Sequence, residues 1–175
     1  FMNQLPGTLS EKDRPAIDAL SSDQLWQDCQ DTIKRSIGLF KQAGYDLEVE
    51  DYHFTILLGN PEKPMLQLNK GYSGDGGIPG YLMLSLLSND YTLPRVRAAL
   101  AHECNHNVRF QFIKWNQQTT LADWVVSEGL AESFAAELYG KELIGSWVTS
   151  TSSEQLEEIK PIISSQLQLT GMAEM

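Results

Sequence analysis

Apolar residues recur at the spacing of an α-helix in three stretches of the chain, residues 21–43, 95–113 and 121–139. The first stretch opens with a capping-box pattern, and the third ends at Gly140, a residue type that often terminates helices. The second stretch is apolar on nearly every side, which is typical of a helix buried all round. We therefore predict three long helices, of which the second lies in the interior.

Two further stretches, residues 47–58 and 78–87, are rich in β-forming residues and predict strands. The second of them is almost continuously apolar, which indicates a buried strand. Residues 70–77, between the two, are rich in glycine and predict a loop. This loop lacks the Lys-Ser/Thr ending of a phosphate-binding loop, so it gives little support to nucleotide chemistry.

The two ends of the chain carry weaker patterns. Residues 1–20 are mixed and contain prolines, which predicts a leader with at most a short helix. A polar helix begins at about Glu154 and is expected to break at Pro161. The elements predict one α+β domain over residues 1–175, mainly helical, with a small mixed sheet of two to four strands packed on the helix of residues 95–113.

The charge and the cysteine content argue against several classes of protein. The net charge of −10, from 13 Lys and Arg against 23 Asp and Glu, argues against a nucleic-acid partner, because such partners need clustered cations. No stretch approaches the ~18 consecutive apolar residues of a membrane span, and residues 1–4 lack the layout of a signal peptide. Two cysteines are too few for a disulfide framework. We expect a cytoplasmic protein, and the abrupt stop at Met175 is typical of a chain truncated at its C-terminus.

The clearest chemical signal is His102-Glu103-x-x-His106, which contains two of the three histidines of the chain. On a helix, residues four apart leave the same face one turn apart, so both imidazoles can reach one metal ion. Two ligands of a tetrahedral zinc ion need this spacing, and Glu103 beside them can act on a metal-bound water. Cys104 lies toward the other side of the helix, and we interpret it as a small buried residue instead of a ligand.

Glu128 and Glu132 lie in the middle of the apolar arc predicted for the helix of residues 121–139, an arc that includes Trp124 and Val125. Two carboxylates in a stripe that faces the core are unfavourable unless a cation meets them. A catalytic zinc ion needs a third protein ligand beside the two histidines. Because no third histidine is near, one of these two glutamates is the candidate.

Read together, Ala101–His106 and Val126–Glu132 resemble the motifs of gluzincin metallopeptidases, and more closely those of a bacterial family of predicted zinc-dependent proteases. The resemblance implies a zincin-like fold and a Zn²⁺ ion with the ligands His102, His106 and Glu128. It also implies that Glu103 is the catalytic general base, which activates a zinc-bound water for peptide hydrolysis. Glu132 would accept a hydrogen bond from the second ring nitrogen of a ligand histidine.

A peptide or protein is the substrate that this resemblance implies. The strand of residues 78–87 would be the edge along which an extended peptide pairs, and Gly76, Gly77 and Gly80 would keep its approach open. Gluzincins usually supply a tyrosine or histidine that stabilises the oxyanion of the tetrahedral intermediate. This chain offers no clear match, and the candidates are Tyr72, Tyr81 and Tyr139.

Two other functions are compatible with the same residues. In a non-catalytic, zinc-stabilised domain that binds a peptide or protein, a fourth protein ligand such as His53 would close the metal site. A lone histidine in a strand is, however, more often a surface residue. In a metal-free binding module, Glu128 and Glu132 would pair with Arg97 or Arg109 instead.

Overall fold

A computed structural model describes residues 8–171 of the chain. Its helices are α1 Arg14–Leu20, α2 Asp23–Gln42, α3 Pro64–Leu68, α4 Val96–Phe112, α5 Leu121–Tyr139, α6 Ser146–Thr149 and α7 Ser153–Gln166. Its strands are β1 His53–Leu58, β2 Tyr72–Ile78 and β3 Tyr81–Leu86. The predicted α+β composition, mainly helical with a small mixed sheet, is confirmed. Within the described range, no helix combines the length and the apolar character that crossing a membrane requires.

The three long helices begin and end close to the predicted residues. Helix α2 has Ser22 as its N-cap, one residue later than the capping-box pattern indicated, and the Ser22 hydroxyl accepts a hydrogen bond from the Leu25 amide. Helix α5 spans the predicted residues, with Thr120 as the N-cap and Gly140 at a φ of 95° after its last turn. The leader contains the short helix α1, as expected, while residues 1–7 lie outside the described range.

Helix α4 lies between two layers of apolar side chains, as its pattern predicted. Buried residues of α2 and of β3 pack with its own apolar residues into one cluster, which includes Cys29, Ile33, Leu82, Leu84, Leu86, Val96, Leu100, Cys104 and Val108. Cys104 has no exposed surface, which confirms its interpretation as a small buried residue. Because the interior is close-packed around α4, the positions of the side chains on this helix are strongly constrained.

The sheet has the order β1-β3-β2, with β1 parallel and β2 antiparallel to β3. The strand predicted at residues 78–87 corresponds to β3, which is the central strand of the sheet. Both of its edges are therefore occupied, and the prediction that it offers an edge to a substrate is wrong. An apolar run reports burial of the faces of a strand and not of its edges, so the pattern left the position of β3 within the sheet open.

Strand β2 occupies the glycine-rich segment that was predicted to be a loop, so that prediction is wrong. Side chains at Gly74 and Gly76 would collide with Glu103 of α4, because the strand passes directly against the helix at these two residues. Glycine is unfavourable in a strand interior but permits such a close approach. The rule that glycine-rich segments form loops therefore failed here, because packing between β2 and α4 requires residues without side chains.

The strand predicted over residues 47–58 is shorter in the structure. Only His53–Leu58 forms β1, because β3 begins opposite His53 and offers no partner to the residues before it. The preceding segment contacts the end of α4 instead, where the Val49 amide donates a hydrogen bond to Oε1 of Gln111 at 3.2 Å. The apolar residues Leu47 and Tyr52 pack against the core cluster without forming strand pairs.

Helix α7 continues through Pro161, where a break was predicted, so that prediction is wrong. A proline inside a helix leaves the carbonyl one turn earlier without its hydrogen-bond donor. Every residue of α7 is exposed, so water can replace the missing donor. After α7 the chain returns to α5, where the amides of Leu121 and Ala122 donate to the carbonyls of Leu169 and Leu167.

Candidate metal centre and active site

Helix α4 presents His102 and His106 on one face, one turn apart. The two Nε2 atoms lie 2.9 Å from each other, and both side chains are about nine-tenths buried. Two ring nitrogens that converge in a buried position need a proton or a metal ion between them or beside them. The spacing of the two histidines therefore produces the convergence that the sequence predicted.

Glu128 of α5 forms a group of three side chains with His102 and His106, which we call the metal group. Its Oε2 lies 3.3 Å from Nε2 of His102, and its Oε1 lies 3.4 Å from Nε2 of His106. The side chain of Glu128 is 48% exposed, so one side of the group is open to solvent. Among the described residues, this is the one set of His, Cys, Asp and Glu side chains whose ligand atoms lie close enough to hold a metal ion.

The three side chains fit a zinc ion in both chemistry and spacing. Zinc bonds to histidine nitrogen at about 2.0–2.1 Å, so tetrahedral ligand atoms stand about 3.3 Å from one another. The distances of 2.9, 3.3 and 3.4 Å within the group are within a few tenths of an ångström of that value. Two imidazoles and one carboxylate also form a ligand set found at catalytic zinc sites.

Glu103 lies on the same helix and faces β2. The side chain is buried against Gly74 and Gly76, the two glycines that allow the strand to approach. Burial raises the pKa of Glu103 to about 6, although His102 and His106 oppose this effect. A carboxylate whose pKa lies near neutrality is well suited to take up and release a proton.

The comparison with known families agrees with this geometry. Residues 25–175 match the family model described as "Predicted Zn-dependent protease (DUF2268)". The chain belongs to this family. The resemblance seen in the sequence to a family of predicted zinc-dependent proteases is confirmed.

Two curated relatives come from Bacillus subtilis strain 168. The chain is 34% identical over 166 residues to a protein named YjfC, a match that covers 94% of this chain and 55% of YjfC. It is 33% identical over 78 residues to a protein named YjaZ, which covers 44% of this chain and 30% of YjaZ. The matched region therefore spans about half of YjfC and less of YjaZ. No solved structure gives a significant match.

In this family member, α5 contacts the outer nitrogens of both histidines. Oε1 of Glu132 lies 3.3 Å from Nδ1 of His102, at ion-pair distance but without the alignment of a hydrogen bond. The other oxygen, Oε2, accepts a long hydrogen bond of 3.4 Å from the Gly145 amide. Glu132 thus lies beside the ring nitrogen of His102 that faces away from Glu128, and its predicted role as a hydrogen-bond acceptor there stays a prediction.

Ser127 makes the corresponding contact with the second histidine, and the sequence reasoning missed it. Its Oγ lies 3.1 Å from Nδ1 of His106, and the residue is only 2% exposed. A signal was available, because Ser127 precedes Ala131 by one helical turn and so shares the buried face of α5. A serine carries no charge, so its burial does not demand a cation in the way that a buried carboxylate does.

The predicted apolar arc of α5 is partly wrong. The face that packs against α4 consists of small and polar residues, Ser127, Ala131, Glu132 and Ala135. Trp124 and Val125, which were placed in the arc, are 38% and 48% exposed. A helix that approaches a polar site closely needs small residues there, so hydrophobicity alone is a poor guide to its orientation.

Electrostatics in the group favour a cation between the carboxylates. Burial alone would lower the pKa of His102, but contacts with Glu128 and Glu132 outweigh it and raise the pKa to about 10. Burial alone would raise the pKa of Glu128, but the two histidines outweigh it and lower the pKa to about 2. The carboxylates therefore stabilise positive charge at this position, which a proton or a metal ion can supply.

The arginines considered as partners of the glutamates lie elsewhere. In the described part of the chain, the ion pairs of Glu128 and Glu132 are with histidines. The guanidinium of Arg97 stacks on the ring of Tyr139, 4.9 Å from its centroid, and Nε of Arg109 is buried without a hydrogen-bond partner. The alternative in which Arg97 or Arg109 neutralises the two carboxylates is therefore wrong.

The remaining candidates are not members of the metal group. His53 is an exposed residue on β1, stacked on Tyr81 at 5.4 Å between ring centroids, and it takes no part in the group. The Tyr139 hydroxyl shares a 2.8 Å hydrogen bond with Thr32. Tyr72 is buried, and burial together with the charge of Glu132 raises its pKa. Tyr72 lines a small cavity together with His102, Glu103 and Glu132.

The group opens into a cleft of about 650 Å³ between β2, α4 and α5. One wall is the segment from Ser73 to Gly77 of β2, and the floor contains His102, Glu103 and His106. Aromatic residues form much of the rest of the lining: Phe110, Trp115, Trp124 and Trp147. A cleft of this size can hold a few residues of a peptide beside the metal group.

Proposed function

We propose that the chain is a zinc-dependent peptidase of the gluzincin type. The observation that carries the proposal is the convergence of His102, His106 and Glu128 at one open position in the cleft, with Glu103 buried beside them. The family description agrees with it. Placement of a base next to a set of zinc ligands is the arrangement that metal-assisted hydrolysis needs.

Each side chain then has one task. His102, His106 and Glu128 hold Zn²⁺, while Glu132 and Ser127 fix the orientation of the two imidazoles. Bound zinc supplies a Lewis acid that polarises the scissile carbonyl and makes water more acidic. Glu103 takes the proton from the attacking water and delivers it to the leaving nitrogen. Burial raises the pKa of Glu103, and a cation bound beside it would oppose this effect, as the two histidines do.

Strand β2, and not β3, is the edge that we propose for substrate pairing. It pairs with β3 on one side, and no described strand pairs with its other side. Its residues from Ser73 to Gly77 line the cleft beside Glu103. An extended peptide added to this edge would gain backbone hydrogen bonds while its scissile bond lies near the metal group.

The wider assignments are part of the same proposal. We expect one zincin-like domain over residues 1–175, a peptide or protein as substrate, no nucleic-acid partner and a location in the cytoplasm. The activity and partners of a longer natural protein are likewise proposals, because the match spans only part of each relative.

A zinc-stabilised domain that binds peptides without cutting them is the second candidate. One observation favours it: none of Tyr72, Tyr81 and Tyr139 is among the described residues that line the cleft. Such a domain would lack the group that usually stabilises the oxyanion. It would retain zinc and bind peptides, but it would give no cleavage products.

The test is hydrolysis of a defined peptide pool by the zinc-loaded chain, followed by mass spectrometry. We expect new termini that appear with time, disappear after chelation and return when zinc is added. Peptide binding without any cleavage product would support the second candidate and contradict the first.

A further inference from the structure

A row of aromatic rings extends from the metal group along one side of the cleft. The Phe110 ring stacks on the His106 ring, with centroids 5.9 Å apart and an interplanar angle of 10°. The Trp115 ring follows, with its centroid 5.4 Å from that of Phe110, and the Trp124 ring lies 5.6 Å from Trp115 between centroids. We call Phe110, Trp115 and Trp124 the aromatic wall. The wall begins at a ligand histidine, so it is continuous with the candidate site.

The aromatic wall faces the cleft and not the core. All three rings line the cleft, and none of the three residues is buried; Trp124 is 38% exposed. Large aromatic surface that remains open to water in one contiguous patch marks a binding surface, because burying it in the core would stabilise the fold further. Isolated exposed apolar residues would not support this reading.

The charges of the cleft narrow the class of ligand. Its lining includes the carboxylates of Asp75, Glu103 and Glu128, and no Lys or Arg is among the described residues that line it. The proposed zinc ion would bring a cation to the cleft, but it would lie beside Glu128. An acidic side chain or a free C-terminal carboxylate held on the aromatic wall, away from the metal, would meet Asp75 and Glu103 without a Lys or Arg beside them. An uncharged apolar side chain on an internal part of a peptide meets neither penalty.

We propose that the aromatic wall receives a large apolar or aromatic side chain next to the scissile bond, so that the chain selects internal peptide bonds at such residues and rejects acidic ones. This inference rests on the proposed peptidase function. In an extended peptide, successive side chains point to opposite faces. One residue beside the scissile bond can therefore project onto the wall while its neighbours point elsewhere.

Binding and cleavage are measured separately so that the two proposals can fail separately. The probes are fluorescent peptides with blocked ends, identical except for one central residue: Phe, Leu, Ala or Glu. Binding is measured by anisotropy on the zinc-loaded Glu103→Gln variant, which lacks the general base. Cleavage of the same peptides is measured with the wild-type chain.

We expect the Phe and Leu peptides to bind at least about tenfold more tightly than the Ala peptide, because a large apolar side chain leaves water. The Glu peptide should bind most weakly. Adding Trp124→Ala to the Glu103→Gln background should weaken binding of the Phe peptide several-fold and leave binding of the Ala peptide unchanged. Phe112→Ala is the matched control, since Phe112 is an exposed aromatic residue of α4 that does not line the cleft.

Equal binding of all four peptides would overturn the inference, even if all four are cleaved. An equal loss of Phe-peptide binding in Trp124→Ala and Phe112→Ala would also overturn the inference, because a general loss of stability would then explain the weaker binding. A preference for Phe and Leu in binding without any cleavage would support the aromatic wall and contradict the peptidase. The comparison among peptides needs no wall variant, so it decides the question even if Trp124→Ala fails to fold.

Discussion

Helices α4 and α5 both carry candidate site residues, but their surroundings differ. Most of helix α4 is buried, and His102, Glu103 and His106 are each 7% exposed. Helix α5 buries a narrow face of small and polar residues and leaves Trp124 and Val125 open to solvent. The fold therefore constrains the site residues of α4 more tightly than Glu128 of α5, whose side chain is 48% exposed and whose ion pairs are with the two histidines.

Asn107 shows how firmly α4 is fixed on the side of the sheet. Its Oδ1 accepts a hydrogen bond from the Gly80 amide at 2.8 Å, and its Nδ2 donates to the carbonyls of Gly76, Ile78 and Tyr81. The side chain therefore holds the turn between β2 and β3 against the helix, directly after His106. Helix α5 has no comparable anchor among the described contacts near Glu128, apart from the histidines.

The largest effect should come from the base on α4. Glu103→Gln keeps the shape of the side chain but removes its ability to take a proton, so we expect peptide hydrolysis to fall about 10³-fold while zinc is retained. The measurement is kcat/KM with zinc content determined in parallel. Glu137→Gln, on the exposed face of α5, is the control and should be active. Near-normal hydrolysis by Glu103→Gln would remove this residue from the mechanism.

The glutamates of α5 should differ in their effect on zinc. Glu128→Ala removes a proposed ligand, and we expect zinc affinity to fall by more than about 100-fold. Glu132→Ala removes only the partner of His102 Nδ1, and we expect this change to lower zinc affinity by about 10- to 100-fold. Competition with a zinc-binding dye measures both affinities. The opposite order would exchange the roles of the two residues.

The packing around the two helices can be compared through the effect of two glycine-to-alanine substitutions on the free energy of unfolding. A methyl group at Gly76 would collide with the backbone of Glu103, so Gly76→Ala should lower the free energy of unfolding by about 1–3 kcal/mol. Gly129 of α5 has open space around the same position, so Gly129→Ala should raise it by about 0.5–1 kcal/mol. Urea unfolding measures both. Equal effects at the two positions would contradict the difference in packing.

A smaller effect is expected at Ser127. Ser127→Ala leaves Nδ1 of His106 without its 3.1 Å contact, and we expect zinc affinity to fall about tenfold while the fold is preserved. Ser133→Ala, at an exposed position of the same helix, is the matched control. An unchanged affinity in Ser127→Ala would show that α5 does not orient this imidazole.

The long helices and the convergence of the histidines could be predicted because each depends on local periodicity. Residues four apart on a helix share a face wherever the helix lies, so His102 and His106 needed no tertiary information. The sequence singled out Glu128 and Glu132 on the prediction that both are buried, which is right for Glu132, 8% exposed, and wrong for Glu128, 48% exposed. The family resemblance then separated Glu128 from Glu132, which helical position alone left open.

The other features depend on contacts between distant segments. Gly74 and Gly76 looked like loop residues because their purpose, close approach to Glu103, is visible only when β2 lies on α4. The central place of β3 likewise depends on two partners that its own residues do not specify. Trp124 looked like core on the helical pattern, but the core at that end of α5 is replaced by an open cleft.

Zinc content per chain is the most direct test of the metal centre on which this account rests. The protein would be stripped with a chelator, reloaded with excess zinc, desalted and measured by elemental analysis, alongside a variant with His102→Ala and His106→Ala. We predict one zinc ion per wild-type chain and none in the variant. A wild-type chain without zinc, or equal zinc in both proteins, would contradict the account.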